Sequence, residues 1–287
     1  LLAFADTLQI PLLLTWKSID LLDYEHPLNF GCPGIMGCRT ANFMVQNCDF
    51  LLVLGSRLEP SVTAFNAAAF GVNAKKVMVD IDPSEIRKIA SLDVPVAADA
   101  GDFLHALAKK LPEIKLKPHG EWVDYCKDLK ARYPVVLPEY YSASSKDGIN
   151  LYVFTDMLFK QLEPNEIITP ESSGTAGEVT YQAMRVKKGQ KIKNAAGLGS
   201  MGFGLPYAIG ACIANERRRT VLINGDGAFQ LNIQELETVA RLKLPIKIFI
   251  FANEGYASIR ATQRNMFEGF YVGSGPSSGF TVPDIAA

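Results

Sequence analysis

Hydrophobic positions along this chain alternate between two periodicities. Short apolar runs of strand length, at 10–15, 50–54, 76–79, 166–169, 220–223 and 246–251, are separated by stretches with helical spacing. The helical stretches are 40–47, 84–89, 102–111, 121–132, 151–162, 205–213, 230–243 and 256–265. Within 230–243 the residues Ile233, Leu236, Val239 and Ala240 form the apolar face, with Glu235 and Glu237 toward solvent. The stretch 102–111 opens on Asp102 and closes on Lys109 and Lys110, as a helix dipole prefers. Strands alternating with helices predict parallel α/β sheets. Between residues 113 and 148 the composition changes to prolines and a Ser-rich patch, which predicts a linker wrapped round the one helix at 121–132. The expected organisation is two three-layer α/β domains: a Rossmann-like one over 1–112 and a second over 149–287.

The chemistry concentrates in the second domain, where the β-branched run 220–223 leads into NGDGAF. Asp226 then sits at a strand's C-terminal end. Gly225 and Gly227 flank it in a turn that can take positive φ or be approached closely by a ligand, and the following amides favour a phosphate. A carboxylate is the hard oxygen ligand that Mg²⁺ shares with substrate phosphates. The helix that follows points its N-terminus at the same place. Pro245 ends that helix, and IKIFIF at 246–251 returns the chain to the same sheet edge. A right-handed crossover opens both strand ends on one crevice, so Asn253 arrives beside Asp226. Its side-chain carbonyl and the backbone carbonyl of Gly255 complete a candidate metal shell. A GDG alone would be read as a tight turn. Upstream, Gly197, Gly199, Gly202 and Gly204 form a loop that lets backbone approach a flat ring. Met201 interrupts these glycines and is either a gap-filler under such a ring or an ordinary core residue.

These residues carry a resemblance. A GDG followed, after the next strand, by an Asn pair is similar to the thiamine diphosphate signature, and GLGSMGFGLPYAIGA (197–211) and GDGAFQLNIQELETVARLKLPI (225–246) resemble the acetolactate synthase-like branch of thiamine diphosphate enzymes. One departure is that Ala252 stands in place of the first Asn of the pair. In the first domain HPLNFGCPGIMGCRTAN (26–42), DFLLVLGSRLEPSVTAF (49–65) and VDIDPSEI (79–86) resemble that family's central domain. The resemblance implies thiamine diphosphate with Mg²⁺ at Asp226, Asn253 and Gly255. It implies cofactor contacts from Gly174 and Thr175, beside Ser173, and from Gly199, Met201, Gly225, Gly227, Ala228, Asn253, Gly255 and Tyr256. Met201 falls where a bulky residue wedges thiamine into its bent form, and Gln263 and Arg264 could look into the active site; Met201 and Gln263 are the catalytic candidates. In some members the central domain holds FAD, which the resemblance allows at Gly55, Ser56, Arg57, Asp80 and Asp99. Others keep the fold without flavin, and a GxGxxG fingerprint is absent. The alternative for Asp80 and Asp82 is a polar strand end with a helix cap, Asp82-Pro83-Ser84-Glu85.

The implied activity is decarboxylation of a 2-oxo acid such as pyruvate, with ligation to a second carbonyl. Two other readings stand beside it: two-carbon transfer to another acceptor such as a keto-sugar, or a non-catalytic subunit that holds the cofactor. In this family the glutamate that activates the cofactor belongs to an N-terminal pyrimidine-binding domain, which this sequence does not include. The resemblance therefore implies a homodimer or homotetramer in which a neighbour's pyrimidine domain faces the site.

Bulk properties narrow the partners. Lys plus Arg number 29 against 30 Asp plus Glu, so there is no broad basic field for nucleic acid or an anionic membrane. The five cysteines form neither a CxxC pair nor a zinc-spaced set with the three histidines, and read as reduced and mostly buried. No apolar run approaches the roughly 20 residues of a membrane span, so a cytoplasmic protein is expected. The opening LLAFADTLQIPLLL reads as a helix tail followed by a strand, the pattern of a piece of a longer protein. The same expectation applies at Ala287, where the family's domain usually continues.

Overall fold

Alternating strand and helix periodicities yield two compact units in the computed structural model, which describes residues 1–113, 119–142, 148–195 and 197–285. One unit comprises Leu1–Thr15 and Glu25–Val135, the other Trp16–Tyr24 and Val136–Ala287. Parts of the expected linker, 114–118 and 143–147, lie outside the described residues.

The first unit runs α1 (Leu2–Leu8), α2 (Arg39–Asn47), β1 (Phe50–Leu54), β2 (Lys75–Asp80), α3 (Pro83–Arg87), β3 (Val94–Ala97), α4 (Ala100–Lys110) and α5 (Gly120–Arg132). Its three strands form a parallel sheet in the order β1-β2-β3. Val53 and Met78 on the sheet bury against Val45 of α2 and Ile86 of α3. The helix expected within a linker, α5, instead buries Val123, Cys126 and Leu129, the last two beside Phe30 and Met44. Its apolar positions fall at helical spacing and therefore find a core.

The second unit runs α6 (Pro138–Tyr141), α7 (Leu151–Gln161), β4 (Ile167–Pro170), α8 (Gly174–Ala183), β5 (Lys191–Ile192), α9 (Gly204–Ala214), β6 (Thr220–Gly225), α10 (Asp226–Phe229), α11 (Leu236–Arg241), β7 (Ile246–Phe251) and α12 (Ala257–Met266). Its parallel sheet has the order β5-β4-β6-β7. Alternate residues of β6 serve two cores, because strand side chains point to opposite faces. Val221 and Ile223 pack with Phe159 of α7 and Tyr181 of α8, whereas Leu222 packs with Leu205 and Ala208 of α9. This unit is thus three-layered, with β6 buried on both faces as parallel strands require. Within it Trp16 stacks on Tyr181, ring centroids 4.9 Å apart.

Three expectations differ from the structure. Residues 10–15 are extended but make only one isolated bridge, Leu12 to Asn29, and stay outside the three-stranded sheet. The strands β3 and β5 are additions that the periodicity does not predict; β3 contains Pro95, and β5 has only two residues. The single helix expected over 230–243 is broken into a 3₁₀ segment, Gln230–Glu235, and α11, with Asn232 at φ −135°. The break has a packing reason. Asn232 Nδ2 donates to the Gly202 carbonyl at 2.8 Å, and a Cβ on Gly202 would come within 2.8 Å of the Leu231 Cβ. The glycine loop occupies the space that a regular helix turn would need.

Candidate functional site

Parallel pairing sets the site. In the β6–β7 register Gly225 lies opposite Phe251, so the residues just beyond, Asp226 and the 252–255 loop, emerge side by side at the sheet's C-terminal edge. Asp226 is 2% exposed. Its Oδ1 accepts the Gly227 amide at 2.7 Å, and its Oδ2 accepts the amides of Asn253 at 2.9 Å and Glu254 at 2.7 Å. The Gly255 amide approaches both oxygens at 3.3 Å. A carboxylate offers about four lone-pair sites, and these four amides already engage them, so a metal at Asp226 would share the carboxylate with the amides that hold the loop.

Glycine is required at 227 by proximity rather than by backbone twist. Neither Gly225 nor Gly227 has positive φ. A Cβ on Gly227 would lie 2.7 Å from the Tyr256 ring and 2.9 Å from the Gly255 carbonyl oxygen. That carbonyl therefore faces the Asp226 turn. Asn253 Oδ1 is buried and has no hydrogen-bond partner among the described residues. An uncompensated buried acceptor is costly. The Asp226 carboxylate, the Asn253 amide oxygen and the Gly255 carbonyl are the oxygens this turn and loop carry, the ligand chemistry that hard divalent cations take.

Next to this set opens a pocket lined by Ser173, Gly174, Thr175 and Ala176, by Met201, by Gly225, Gly227 and Ala228, and by Asn253, Gly255 and Tyr256 through Ile259. Two helices begin at it. Gly174, at φ 69°, opens α8, and Ala257 opens α12. Helix N-termini leave amides unpaired and carry partial positive charge, which suits an anion. Ser173, the residue before α8, has a buried hydroxyl with no partner among the described residues. Among the described residues the lining contains no Lys or Arg.

Most of the expected contacts are thus brought together: Gly174, Thr175, Met201, Gly225, Gly227, Ala228, Asn253, Gly255 and Tyr256 line one pocket, over the Asp226 turn. Gly199 is not in the lining, although it belongs to the same glycine loop. Met201 is 43% exposed at the pocket. Gln263 lies elsewhere: its Oε1 accepts from Ser274 Oγ at 2.7 Å and its Nε2 donates to the Val272 carbonyl. Arg264 lies near Asn265 on the same helix. Ser258 and Ile259 join the lining unforeseen. Their signal was available as the first turn of the helix that follows the Asn253 loop.

Immediately after β4, the fully buried Glu171 accepts the amides of Ser172 at 3.0 Å and Gly204 at 3.1 Å. Burial raises its pKa, and these two amides lower it by less. Glu178 on α8 reaches Ser258 Oγ at 3.4 Å, and burial raises its pKa as well.

The candidates in the first unit also share an edge. Gly55 (φ 54°), Ser56 and Arg57 follow β1, Asp80 ends β2 and Asp99 follows β3. Each acidic member has a structural duty. Asp80 Oδ1 accepts the Asp82 amide at 2.9 Å, and Asp99 caps α4 through the amides of Gly101 and Asp102. Arg57 pairs with Glu85 at 3.0 Å. Cys32, Cys126 and Cys212 are buried and Cys38 and Cys48 half-buried, all as free thiols; burial pushes Cys32 and Cys126 up to about 12. Among the described residues no helix is long and apolar enough to cross a membrane.

Comparison with known proteins identifies the two domains. Residues 1–107 match the thiamine pyrophosphate enzyme central domain, and residues 172–287 match the thiamine pyrophosphate enzyme C-terminal TPP binding domain. The chain is 33% identical over 264 residues to the acetolactate synthase isozyme 1 large subunit of Escherichia coli K12, covering 92% of this chain and 45% of that protein. It is 34% identical over 273 residues to the acetolactate synthase large subunit of Corynebacterium glutamicum, covering 94% and 42% respectively. A third relative, the acetolactate synthase large subunit of Parasynechococcus marenigrum, is 32% identical over 289 residues, covering 99% and 44%. The chain spans less than half the length of these relatives. With both domain matches and these relatives, the chain belongs to the thiamine pyrophosphate enzymes, among those similar to acetolactate synthase large subunits.

Proposed function

We propose that this chain is the central and cofactor-binding part of an enzyme that decarboxylates a 2-oxo acid, pyruvate in the first instance, and ligates the product to a second carbonyl. One observation supports it above the others: Asn253 Oδ1, buried and without a partner among the described residues, lies in the loop whose amides hold Asp226. A divalent cation is the partner this acceptor lacks. The charge balance argues the same way. A diphosphate beside the buried Asp226 carboxylate would cost about 4 kcal/mol for each pair of unit charges roughly 4 Å apart. No Lys or Arg in the lining offsets that. Mg²⁺ held by Asp226, Asn253 and the Gly255 carbonyl would.

In this reading the α8 and α12 N-termini and the Ser173 hydroxyl bind the diphosphate, and Met201 supports the ring. Thiamine diphosphate, when bound, supplies the electron sink that 2-oxo acid decarboxylation needs. Asp226 and Asn253, through the ion, would fix the cofactor's anionic end, and Met201 in the lining would pack against its ring. By analogy with the large subunits it resembles, the enzyme works as a homo-oligomer, a dimer or tetramer, in which a neighbouring subunit's pyrimidine domain completes the site. The binding test is isothermal titration of thiamine diphosphate with Mg²⁺, repeated with EDTA and with Asp226→Ala. Metal-dependent heat that disappears in the variant is expected; equal binding by the variant would sink the site. The reaction is then read by supplying pyruvate with and without other carbonyl acceptors. Acetolactate as the main product supports the carboligase reading over transfer to a keto-sugar.

A further inference from the structure

The loop that carries Asn253 and Gly255 is held from both sides. Its amides point at Asp226, as described above. The carbonyls of Asn253 and Glu254 point the other way, to Arg260, one turn into α12. Arg260 Nη2 donates to the Asn253 carbonyl at 2.5 Å, and Nη1 donates to the carbonyls of Glu254 at 3.1 Å and Ser274 at 2.6 Å. One guanidinium thus ties two successive peptides of the loop to the segment that follows α12.

That segment is fixed in turn. Ser274 is fully buried. Its carbonyl also accepts the Tyr256 amide at 3.0 Å, its hydroxyl donates to Gln263 Oε1 at 2.7 Å, and its amide donates to Ser278 Oγ at 2.9 Å. Phe280 stacks on Tyr256 with ring centroids 4.3 Å apart. Gly255 is required both by its φ of 118° and by closeness, and Gly275 by closeness to the guanidinium. A Cβ on Gly255 would lie 2.9 Å from the Ser274 carbonyl oxygen, and one on Gly275 would lie 3.0 Å from Arg260 Nη1.

The loop needs such bracing because its backbone is strained. Glu254 takes φ 62°, the left-handed region that non-glycine residues seldom adopt. Conformations of that kind cost on the order of 1–3 kcal/mol and persist only where the surroundings over-determine them. Asp226 supplies one side of that constraint. Asp226 is also the residue that a metal would engage, in competition with the loop's amides, so an anchor independent of Asp226 is required if the loop is to keep its shape as the metal binds. Arg260 is that anchor.

We propose that Arg260, with Gln263 and Ser274 behind it, is a positioning latch: it holds Asn253 and Gly255 in metal-ligating geometry in advance of the ion, and so sets metal affinity without touching the metal. The proposal rests on the metal-site reading above. Two opposite charge effects attend it. A guanidinium behind the Asn253 and Glu254 carbonyls polarises those peptides and strengthens their amides as donors to Asp226, whereas a cation near the site repels Mg²⁺. The forked geometry separates these alternatives, because Lys keeps the charge but cannot span three carbonyls.

The experiment compares the unaltered chain with Arg260→Lys, Arg260→Met and Gln263→Leu. Free Mn²⁺ is counted by electron paramagnetic resonance at saturating thiamine diphosphate, and amide hydrogen exchange over 252–256 is followed with neither metal nor cofactor present. Orienting residues behind a ligand are worth about 10–100-fold in metal affinity. Both Arg260 variants should therefore lose roughly tenfold or more in Mn²⁺ affinity and exchange faster across the loop, with Gln263→Leu moving both in the same direction by less. Unchanged exchange at 252–256 in Arg260→Met overturns the latch. So does full Mn²⁺ affinity in Arg260→Lys, or a gain in Arg260→Met, which would leave charge as the cause. A parent chain that binds no Mn²⁺ overturns the metal reading itself; loop exchange then still decides the latch.

Discussion

Both parallel sheets of this chain end in a buried acid, Asp80 at the end of β2 and Asp226 after β6, and the two edges use it differently. Asp80 and its neighbours Asp82 and Asp99 spend their oxygens on amides two or three residues further on. These are local turns and caps, complete in themselves. Asp226 instead gathers amides from a loop 27 to 29 residues away, and that loop holds a buried acceptor, Asn253 Oδ1, without a partner among the described residues. An acid at a strand end is therefore not a site by its position alone. A site is marked by convergence from distant segments and by a polar atom that the protein does not satisfy.

The largest effect expected from breaking this contrast is on stability in the paired variants Asp226→Ala and Asp80→Ala. The first strands the amides of Gly227, Asn253 and Glu254, and each orphaned buried donor costs about 1–3 kcal/mol, so a loss of about 3 kcal/mol or more follows. The second removes one local acceptor and should cost about 1 kcal/mol. Urea midpoints without metal or cofactor check the pair. Equal losses would mean that the Asp226 network is no more than another turn.

A smaller effect separates the glycines at the two edges. Gly55 has φ 54° and open space within 4 Å of where a Cβ would sit, so Gly55→Ala strains only the left-handed backbone, at about 1–2 kcal/mol. Gly227 has ordinary φ but no space, so Gly227→Ala must displace Tyr256 or the Gly255 carbonyl. Gly55→Ala should leave cofactor binding unchanged in titration, and Gly227→Ala should weaken it by about tenfold, roughly 1.4 kcal/mol. Equal binding by both would remove the close approach as the reason for glycine at 227.

Much of this second edge was legible in the sequence. The run TVLI before NGDG fixes a buried strand end, and the helix and IKIFIF that follow return Asn253 to the same edge by the handedness of the crossover. What stayed hidden depends on contacts with no local signature. The helical pattern of 230–243 runs on without interruption, yet Gly202, some 30 positions upstream, takes the carbonyl contact that bends Asn232 out of it. The strand β3 is a four-residue edge strand with exposed Val94 and an internal proline, so its period is too short to register. Gln263 and Arg264 read as side chains facing the pocket because the helical spacing is evident in the sequence and the packing around it is not. Gln263 spends its amide on Ser274 and Val272 instead.

The smallest effect contrasts two glutamates, one at each edge. Glu85 is paired by Lys88 at 2.7 Å and Arg57 at 3.0 Å, which hold its pKa below the ordinary carboxylate value of 4.5. Glu171 is fully buried, and burial raises its pKa above the same value although two amides and Asn224 oppose the shift. The linkage signs are opposite. The stability Glu85 contributes is present above pH 4.5 and is lost as the pH falls through its lower folded pKa. The stability Glu171 contributes is fully present below pH 4.5 and is lost as the pH rises through its higher folded pKa, because the folded state holds the proton more tightly. Glu171→Gln should accordingly melt a few degrees higher than the parent on the alkaline side of that window and flatten its decline, whereas Glu85→Gln should lose stability there. Thermal melts from mildly acid to mildly alkaline pH check both. Parallel profiles for Glu171→Gln and the parent would mean that the Ser172 and Gly204 amides stabilise the ionised carboxylate enough to cancel its burial, and that the end of β4 carries a fixed negative charge.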